Sequence, residues 1–323
     1  MIRLLNDFAS RHNCIIGVCD ATPLAREPYA AGFVPFVSKD LEKRTNPAAA
    51  LSRVRSIIVV GFGNPGTKRG GSSPAESIKK YSYRAELSSL GQNADYHKRV
   101  KVLLLDIAEE LHKHFSINYK ILVDNPGLDE RAFAVRAGLG FYGRHGLVVS
   151  EKFGSRFHIG LLLTDIPLNA LNPAWNPAEA HGNPSIEYPL AGCTNRADSL
   201  PLRGIGFAGE CPPDCRRCID ACPTGALSPS RGFDVSRCIS YLTQNDELTP
   251  EEETLLGNQL YGCDICQDAC PFNAPRGKTW VDPHDWLAMS DDDFDRAYGH
   301  TAMLWRGAEI LRRNARVIIK ARL

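Results

Sequence analysis

The chain has 323 residues, of which 43% are hydrophobic and 23% are charged, and its formal net charge is +1. This length suffices for one large domain with a smaller one, and the composition is that of a globular protein rather than a disordered or fibrous one. No apolar run approaches the ~20 residues that a membrane-spanning helix needs, and the near-neutral charge favours no particular class of partner.

Short apolar runs alternate with helical periodicity over residues 1–165. The runs predict buried strands at residues 14–19, 56–62, 120–124, 146–150 and 157–164. Apolar residues recur at helical spacing over residues 95–115, and a second helix is predicted over residues 128–137, ending at Gly138. This alternation predicts an α/β (α+β) fold whose N-terminal domain is built on a mixed sheet.

The N-terminal stretch MIRLLNDFASRHNC has no charged segment followed by a long apolar one. We therefore predict no signal peptide and expect a cytoplasmic protein with no membrane partner. Cys14 and Cys19 lie in an apolar run, so they are predicted to be small buried residues rather than ligands.

Composition changes after the last predicted strand, where residues 168–210 become rich in Asn, Pro, Ala and Gly. We expect an extended loop there, long enough to be functional or mobile. The predicted organisation is an α/β catalytic domain at residues 1–190, a cysteine-rich module at residues 206–275 and a C-terminal helical segment at residues 276–323.

Eight cysteines of the C-terminal third fall in two runs, and both runs end in C-x2-C-x3-C-P. This spacing wraps a [4Fe–4S] cube, because short gaps let one turn present several thiolates to one cluster. The proline stops the helix, so the last cysteine reaches the other cluster. We predict a module like bacterial ferredoxins with two [4Fe–4S] clusters: Cys211, Cys215, Cys218 and Cys270 hold one, and Cys222, Cys238, Cys263 and Cys266 hold the other.

Alternatives to this assignment remain open. Three residues separate Cys211 from Cys215, where the usual run has two, so Cys193 is an alternative to Cys211. Zinc ribbons also use C-x2-C pairs but seldom repeat the C-x3-C-P ending. A disulfide framework would need an oxidising compartment.

Further blocks of sequence resemble one enzyme family. They read Asp95-Tyr-His, Val123-Asp-Asn-Pro-Gly-Leu-Asp-Glu-Arg-Ala, Ala137-Gly-Leu-Gly-Phe-Tyr-Gly-Arg-His, and Tyr261-Gly-Cys-Asp-Ile-Cys-Gln-Asp-Ala-Cys-Pro-Phe-Asn. These blocks are similar to those of the epoxyqueuosine reductases, and the resemblance covers most of residues 10–320. It implies an oxidoreductase that uses cobalamin and two [4Fe–4S] clusters to reduce epoxyqueuosine to queuosine in tRNA, with electrons from an external flavodoxin- or ferredoxin-type donor.

The resemblance also implies site residues at matching positions. Asp124 is the expected general acid, and Tyr96, His97, Asp124, Arg131 and Arg144 are expected to contact the cofactor. By itself, Asp124 before Asn-Pro is more typical of an Asx turn or a helix cap than of a general acid. The sequence has no Asp-x-His-x-x-Gly, so cobalamin is expected to bind base-off, without a protein histidine on cobalt.

Several departures from the family keep other hypotheses open. The H-G-E-M-like segment of the family is replaced by Ala31-Gly-Phe-Val-Pro-Phe, and the tryptophan of the A-G-L-G-W block is Phe141. Many members also carry a helical-repeat domain that this sequence does not contain. A second hypothesis is therefore a paralogue with the same cofactors and a smaller substrate, and a third is a non-catalytic two-cluster electron carrier.

Basic residues are concentrated in residues 306–323, where Glu309 is the single acidic residue. A basic helix of this kind is suited to contact tRNA phosphates. An ordinary solvated helix face at the end of the sequence would show the same pattern.

Overall fold

The structure, a computed structural model, describes residues 1–24, 38–63, 84–124, 127–173, 210–229 and 232–322. Cys193, the departure at residues 31–36 and most of the predicted loop at residues 168–210 lie outside the described residues. Within the described part of the chain, no helix is long and apolar enough to cross a membrane.

The described elements are mostly short. The strands are β1 (Cys14–Asp20), β2 (Ser56–Gly63), β3 (Ala85–Leu87), β4 (Tyr119–Val123), β5 (Phe141–Tyr142), β6 (Val148–Val149), β7 (Phe157–Thr164), β8 (Leu227–Ser228), β9 (Gly232–Phe233), β10 (Gln259–Tyr261) and β11 (Thr279–Val281). The helices are α1 (Ile2–Arg11), α2 (Leu41–Thr45), α3 (Ser89–Gln92), α4 (Tyr96–His112), α5 (Glu130–Arg136), α6 (Leu168–Leu171), α7 (Arg217–Ala221), α8 (Ile239–Leu242), α9 (Pro250–Leu255), α10 (Ile265–Asp268), α11 (Pro283–Ala288), α12 (Asp291–Tyr298) and α13 (Gly307–Lys320).

The chain forms two compact units. The first, here called the α/β unit, comprises Met1–Gly63 and His97–Cys215, and the second, the cysteine unit, comprises Asn64–Tyr96 and Arg216–Leu323. β3 belongs to the cysteine unit because it pairs with β10 and β11. A piece of the N-terminal half of the sequence therefore completes the C-terminal unit, and the boundaries of the three-part domain division stay a prediction.

The α/β unit is built on a four-stranded sheet in the order β1-β2-β7-β4. Successive residues of β2 point to opposite faces, so Ile58 and Val60 pack in one apolar cluster and Ile57 and Val59 in another. Helices α1 and α4 cover the first face, and α5 covers the second. Because both faces are buried, the strands are apolar throughout rather than alternating.

One glycine sets how closely the long helix packs on this sheet. A Cβ atom on Gly160, in the middle of β7, would lie 2.4 Å from Cγ1 of Val100 on α4. Any side chain at position 160 would clash with Val100, so the close packing of α4 on the sheet requires glycine there.

The α/β class is confirmed, and the strands expected at residues 14–19, 56–62, 120–124 and 157–164 are present within one residue. Two expectations need correction. All described pairs of the four-stranded sheet are antiparallel, so this sheet is not mixed. The apolar run at residues 146–150 forms only the two-residue β6, which pairs with β5 as a separate hairpin. A short buried run does not reveal the direction or partner of its strand.

The cysteine unit has its own three-stranded sheet, in the order β10-β3-β11, and a core contributed largely by α11 to α13. Leu311, Ala315 and Ile318 on α13 pack against Leu260 and Tyr261 of β10. The predicted C-terminal helical segment is thus present as α11, α12 and α13. It forms part of the core that supports the strand leading into the second cysteine run.

Candidate functional site

Five of the predicted cluster ligands come together in the cysteine unit. Burial raises the pKa of Cys263 to about 12, and the nearby thiols of Cys238 and Cys222 act in the same direction. Burial also raises the pKa of Cys266 well above its usual value, with further contributions from Cys263, Cys238 and Cys218. Cys218, Cys222, Cys238, Cys263 and Cys266 therefore lie near one another in the cysteine unit, and their division between two clusters stays a prediction.

Short helices and turns present these thiols. Cys218 lies within α7 and Cys222 directly follows it, Cys238 caps the start of α8, and Cys266 lies in α10. The chain reaches Cys263 through Gly262, whose φ of 67° is unfavourable for other residues. A Cβ atom there would also lie 2.2 Å from Oγ of Ser88, so glycine is required on both counts.

The thiols are suited to iron–sulfur ligation. All of the described cysteines are free, and several receive hydrogen bonds from backbone N–H groups a few residues further along the chain. Such bonds, to Cys222 from Thr224, Ala226 and Leu227, to Cys238 from Ser240 and Tyr241, and to Cys263 from Ile265, favour the thiolate. Hydrogen bonds to sulfur are one of the means by which proteins adjust cluster potentials.

A single metal ion and an iron–sulfur cube place different demands on their ligands. Among the described residues, no group of three or more His, Cys, Asp or Glu side chains is arranged to hold one ion. A zinc site needs its four ligand atoms on one centre, whereas each cysteine of a [4Fe–4S] cube binds a different iron and the sulfurs stand further apart.

The other predicted cluster is less fully defined by geometry. Cys218 and Cys270 are buried in the cysteine unit, at 6% exposure each. Cys211 and Cys215 are half-buried, and the N–H of Cys215 donates to the carbonyl of Pro212 in a tight turn. Their assignment to one cluster with Cys218 and Cys270 stays a prediction.

A second polar group lies in the α/β unit, at the end of β4. Asp124 has a left-handed backbone, with φ of 49°, which aspartate tolerates better than most residues. Its N–H donates to Oε2 of Glu130 at 3.0 Å, and its Oδ2 lies 3.5 Å from Nε2 of His97. Three elements therefore converge here, because Asp124 directly follows β4, His97 lies in the first turn of α4, and α5 begins at Glu130.

Both members of the His97–Asp124 pair are accessible to solvent. The Asp124 side chain is 66% exposed and the His97 side chain 41%. Water therefore reaches both side chains of this pair. A group bound over Asp124 would have to exclude water before this carboxyl could donate a proton near neutral pH.

The predicted cofactor contacts Arg131 and Arg144 both bind backbone carbonyls. Nη1 of Arg131 donates to the carbonyl of Gly146 at 3.0 Å, and Nη2 of Arg144 donates to the carbonyl of Pro213. Arg131 thereby braces the turn between β5 and β6. Tyr96 is half-buried at the start of α4. A cofactor contact by any of these three residues stays a prediction.

His145, in the same turn, is a buried neutral imidazole. Its Nδ1 accepts the N–H of Leu147 at 3.1 Å, and Nε2 is buried without a hydrogen-bond partner in the described part of the chain. Burial lowers the pKa of His145 to about 4. The ring is thus uncharged at neutral pH and serves the packing of the hairpin.

Most of the basic side chains of α13 are engaged within the protein. Arg313 is the clearest case: its guanidinium donates to the carbonyls of Leu242 and Asn245, and burial lowers the pKa of Arg313. Arg312 donates to the carbonyl of Met289 and pairs with Asp291 at 2.6 Å. The expected basic face for tRNA is therefore reduced mainly to Arg316 and Lys320, at 56% and 78% exposure.

Sequence reasoning did not identify the buried Arg276 or its partners Asp264 and Asp268, which lie between the ligands of the second cysteine run. The only available signal was their interleaving with the cysteines in Cys-Asp-Ile-Cys-Gln-Asp-Ala-Cys. Acidic residues at such positions are usually solvated, so the pattern alone does not predict burial.

Comparison with known families and proteins gives consistent matches along the chain. The family described as epoxyqueuosine reductase QueG, DUF1730, matches residues 44–125, and the 4Fe-4S double cluster binding domain matches residues 211–273. Epoxyqueuosine reductase of Staphylococcus aureus is 31% identical over 89% of this chain and 68% of its own length. For the enzyme of Lactococcus garvieae the identity is 30%, over 86% of this chain and 72% of the relative. The chain thus spans about two thirds of the length of these relatives.

Solved structures of the same kind are similar to the whole chain. Epoxyqueuosine reductase from Streptococcus thermophilus matches 98% of this chain and 80% of its own, with a TM-score of 0.74 and 26% identity. A reductase crystallised with an epoxyqueuosine-modified tRNA-Tyr stem loop matches 98% of this chain and 81% of its own, with a TM-score of 0.72 and 25% identity. A Bacillus subtilis structure, with its catalytic aspartate loop swung out of the active site, has a TM-score of 0.70, 25% identity and coverage of 98% of this chain and 81% of its own.

Proposed function

Because this chain belongs to the epoxyqueuosine reductase family and is an oxidoreductase, we propose that it reduces epoxyqueuosine to queuosine in tRNA. The observation that carries the proposal is the joint presence of the thiol group of the cysteine unit and the Asp124–His97–Glu130 group of the α/β unit. This combination occurs in a chain 98% of which matches a solved reductase bound to an epoxyqueuosine-modified tRNA stem loop.

Electron transfer is the role proposed for the cysteine unit. The iron–sulfur binding domain is shown by the match over residues 211–273. The finer proposal is two [4Fe–4S] clusters with the crossed ligand sets predicted from the spacing. Such clusters pass electrons singly, and we propose a flavodoxin- or ferredoxin-type donor in the cytoplasm as their source.

Cobalamin is the cofactor proposed for the α/β unit, and the residues present fit base-off binding. The two histidines that follow an aspartate at the Asp-x-His spacing are both occupied: Nε2 of His97 faces Asp124 at 3.5 Å, and Nδ1 of His284 bonds Asp282 at 2.9 Å. Bound cobalamin would supply a cobalt centre that collects two electrons and reacts at the epoxide carbon.

Within this proposal the chain's own residues handle the proton. Removing the epoxide oxygen as water consumes two electrons and two protons, and the carboxyl of Asp124 supplies one proton to the departing oxygen. Glu130 holds the backbone of Asp124 through the hydrogen bond from its N–H, and His97 orients the carboxyl. Water exclusion by the bound cofactor and substrate makes the acid form of Asp124 accessible.

A smaller substrate is the second candidate. It is favoured by one observation, the internal pairing of Arg312 and Arg313, which leaves fewer free charges on α13 for a phosphate backbone. A pure electron carrier has less support, because it gives no role to the converging Asp124, His97 and Glu130.

The proposal is tested by anaerobic reconstitution with iron, sulfide and cobalamin, followed by incubation with reduced flavodoxin and a tRNA stem loop carrying epoxyqueuosine. Mass spectrometry of the digested RNA should show loss of one oxygen from the modified base. A preparation without cobalamin is the control and should give no product. Cluster-loaded, cobalamin-bound protein that leaves epoxyqueuosine unchanged would contradict the tRNA proposal and favour a smaller substrate.

A further inference from the structure

Two carboxylates lie between the ligands of the second cysteine run. Asp264 separates Cys263 from Cys266, and Asp268 separates Cys266 from Cys270. Asp264 is only 5% exposed and Asp268 has a side-chain exposure of 26%. Negative charges at these positions oppose both the thiolates and the extra electron of a reduced cluster, so a compensating charge is needed.

Arg276 supplies that charge from the segment after the run. Its side chain is 3% exposed, with Nη2 2.6 Å from Oδ2 of Asp264 and Nε 3.0 Å from Oδ1 of Asp268. Nη1 and Nη2 are both buried and neither makes a hydrogen bond in the described part of the chain, so the contact of Nη2 with Asp264 is an ion pair. One guanidinium therefore touches both acidic residues of the loop and retains an unused donor.

Asp264 is also anchored from a third direction. Its Oδ2 accepts the N–H of Ser89 at 2.6 Å, and its Oδ1 accepts from Nε2 of Gln267 at 3.2 Å. Ser89 lies at the start of α3, just after the strand that pairs with β10. The carboxylate thus ties the cysteine loop to the sheet, and Arg276 ties the two carboxylates to each other.

We propose that Arg276 is a positioning residue that closes the loop Cys263–Cys270 and raises the reduction potential of the cluster bound by Cys263 and Cys266. This inference rests on the iron–sulfur content in the proposed function. The planar guanidinium fixes two carboxylates at a set separation, which the single ammonium of a lysine does not do. The positive charge of Arg276 would stabilise the cluster once the cluster has accepted one electron from the donor. No protein bond forms or breaks in that electron transfer.

The experiment compares variants of the full chain, reconstituted anaerobically, by redox titration followed with electron paramagnetic resonance and by the rate of iron release to a chelator. Arg276→Gln should shift the potential of one cluster downward and release iron several-fold faster. Arg276→Lys should retain a potential near wild type while still releasing iron faster. Arg296→Gln removes an exposed pair with Asp293 in the same unit and should change neither quantity.

Asp268→Asn provides a test that does not depend on removing Arg276. It deletes one negative charge and keeps the Arg276–Asp264 pair, so the potential should shift upward, opposite to Arg276→Gln. If the salt bridge had only a structural role, the two variants would not shift the reduction potential in opposite directions. An unchanged potential in both variants, or shifts of the same sign, would overturn the proposal. Neither readout involves tRNA or cobalamin, and wild type that binds no cluster would instead contradict the proposed function.

Discussion

The α/β unit and the cysteine unit differ in what holds their polar side chains in place. In the α/β unit, Asp124, His97 and Glu130 stand at the ends of elements that two large apolar clusters pack against a sheet. In the cysteine unit, helices α7, α8 and α10 have four or five residues each. Such short helices are not stable by themselves, so two small apolar clusters around Ile219 and Leu242, bonds from buried polar side chains and bound metal together hold the ligands.

Asn314 and Arg313 show how polar side chains supplement the small apolar clusters around the cysteine loops. Asn314 is fully buried and donates to the carbonyls of Thr243 and Leu260 at 2.8 Å each. Arg313 donates to the carbonyl of Leu242, at the end of α8. The comparison teaches that a basic helix beside a metal module can be a scaffold for that module rather than a surface for nucleic acid.

Removal of a cluster ligand is expected to have the largest effect and to separate the two units. Cys266→Ala should lose about four of about eight iron atoms per chain and abolish electron delivery. The cysteine unit should also become less stable, because metal binding is coupled to folding. Iron and sulfide analysis measures the loss, with Cys19→Ala in β1 as the control that keeps its clusters. Full iron content in Cys266→Ala would refute the ligand assignment.

Asp124→Asn tests the α/β unit without touching the clusters. Turnover should fall by roughly 10²–10⁴-fold, the range for loss of general acid catalysis, while iron content and cobalamin binding stay unchanged. Asn keeps the turn and tolerates the left-handed backbone. Single-turnover assays measure the rate, and Asp165→Asn, at an exposed pair with Asn118, is the control. If the variant fails to fold, Asp124 is a structural turn residue instead.

Asn314→Ala tests the polar support of the cysteine unit. Two buried carbonyls would lose their donor, which costs roughly 2–6 kcal/mol of unfolding free energy at ~1–3 kcal/mol per unsatisfied group. Urea titration of the anaerobic protein measures the change, and Ser10→Ala, which removes an exposed bond to Asn6 in α1, should change stability little. A loss below about 1 kcal/mol would show that metal coordination alone holds these loops.

His145 should make the stability of the α/β unit depend on pH, with an effect of intermediate size. Its folded pKa of about 4 lies below the ordinary value of 6.5, so below pH 6.5 the unfolded chain takes up a proton that the native ring does not. The contribution of the neutral His145 ring to the free energy of unfolding is fully present above this pH. It is lost as pH falls towards 4, by about 2 kcal/mol between pH 7.5 and pH 5. His145→Asn, which does not titrate, should flatten this part of the wild-type curve in urea titrations. Parallel curves for the two proteins would show that the ring is charged or exposed.

Arg316→Gln should have the smallest effect. Arg316 is exposed and pairs with Glu309 at 3.0 Å, and a surface pair of this kind contributes ~0–1 kcal/mol to stability. If the exposed end of α13 meets tRNA, the variant should bind tRNA more weakly at all sequences and with a salt slope smaller by about one. Fluorescence titration over a salt series measures both. An unchanged slope would mean that α13 serves the cysteine unit alone.

Local spacing was enough to predict the metal chemistry and much of the secondary structure. The C-x2-C-x3-C-P endings group cysteines over a few residues, so the set Cys222, Cys238, Cys263 and Cys266 could be proposed before any fold was known. The buried strands and the α4 helix followed from runs and periodicity for the same reason. Asp124 was identified through a family resemblance, because its residue type alone also suits a turn.

Tertiary structure decided which charges meet and which are buried. Whether Arg313 faces solvent or the carbonyl of Leu242, and whether Arg276 reaches Asp264 and Asp268, depends on segments that approach only after folding. The convergence of His97, Asp124 and Glu130 and the antiparallel direction of the sheet arose in the same way. The local sequence does not predict the partner of a charged side chain, because long-range electrostatic and packing energies depend on the folded chain.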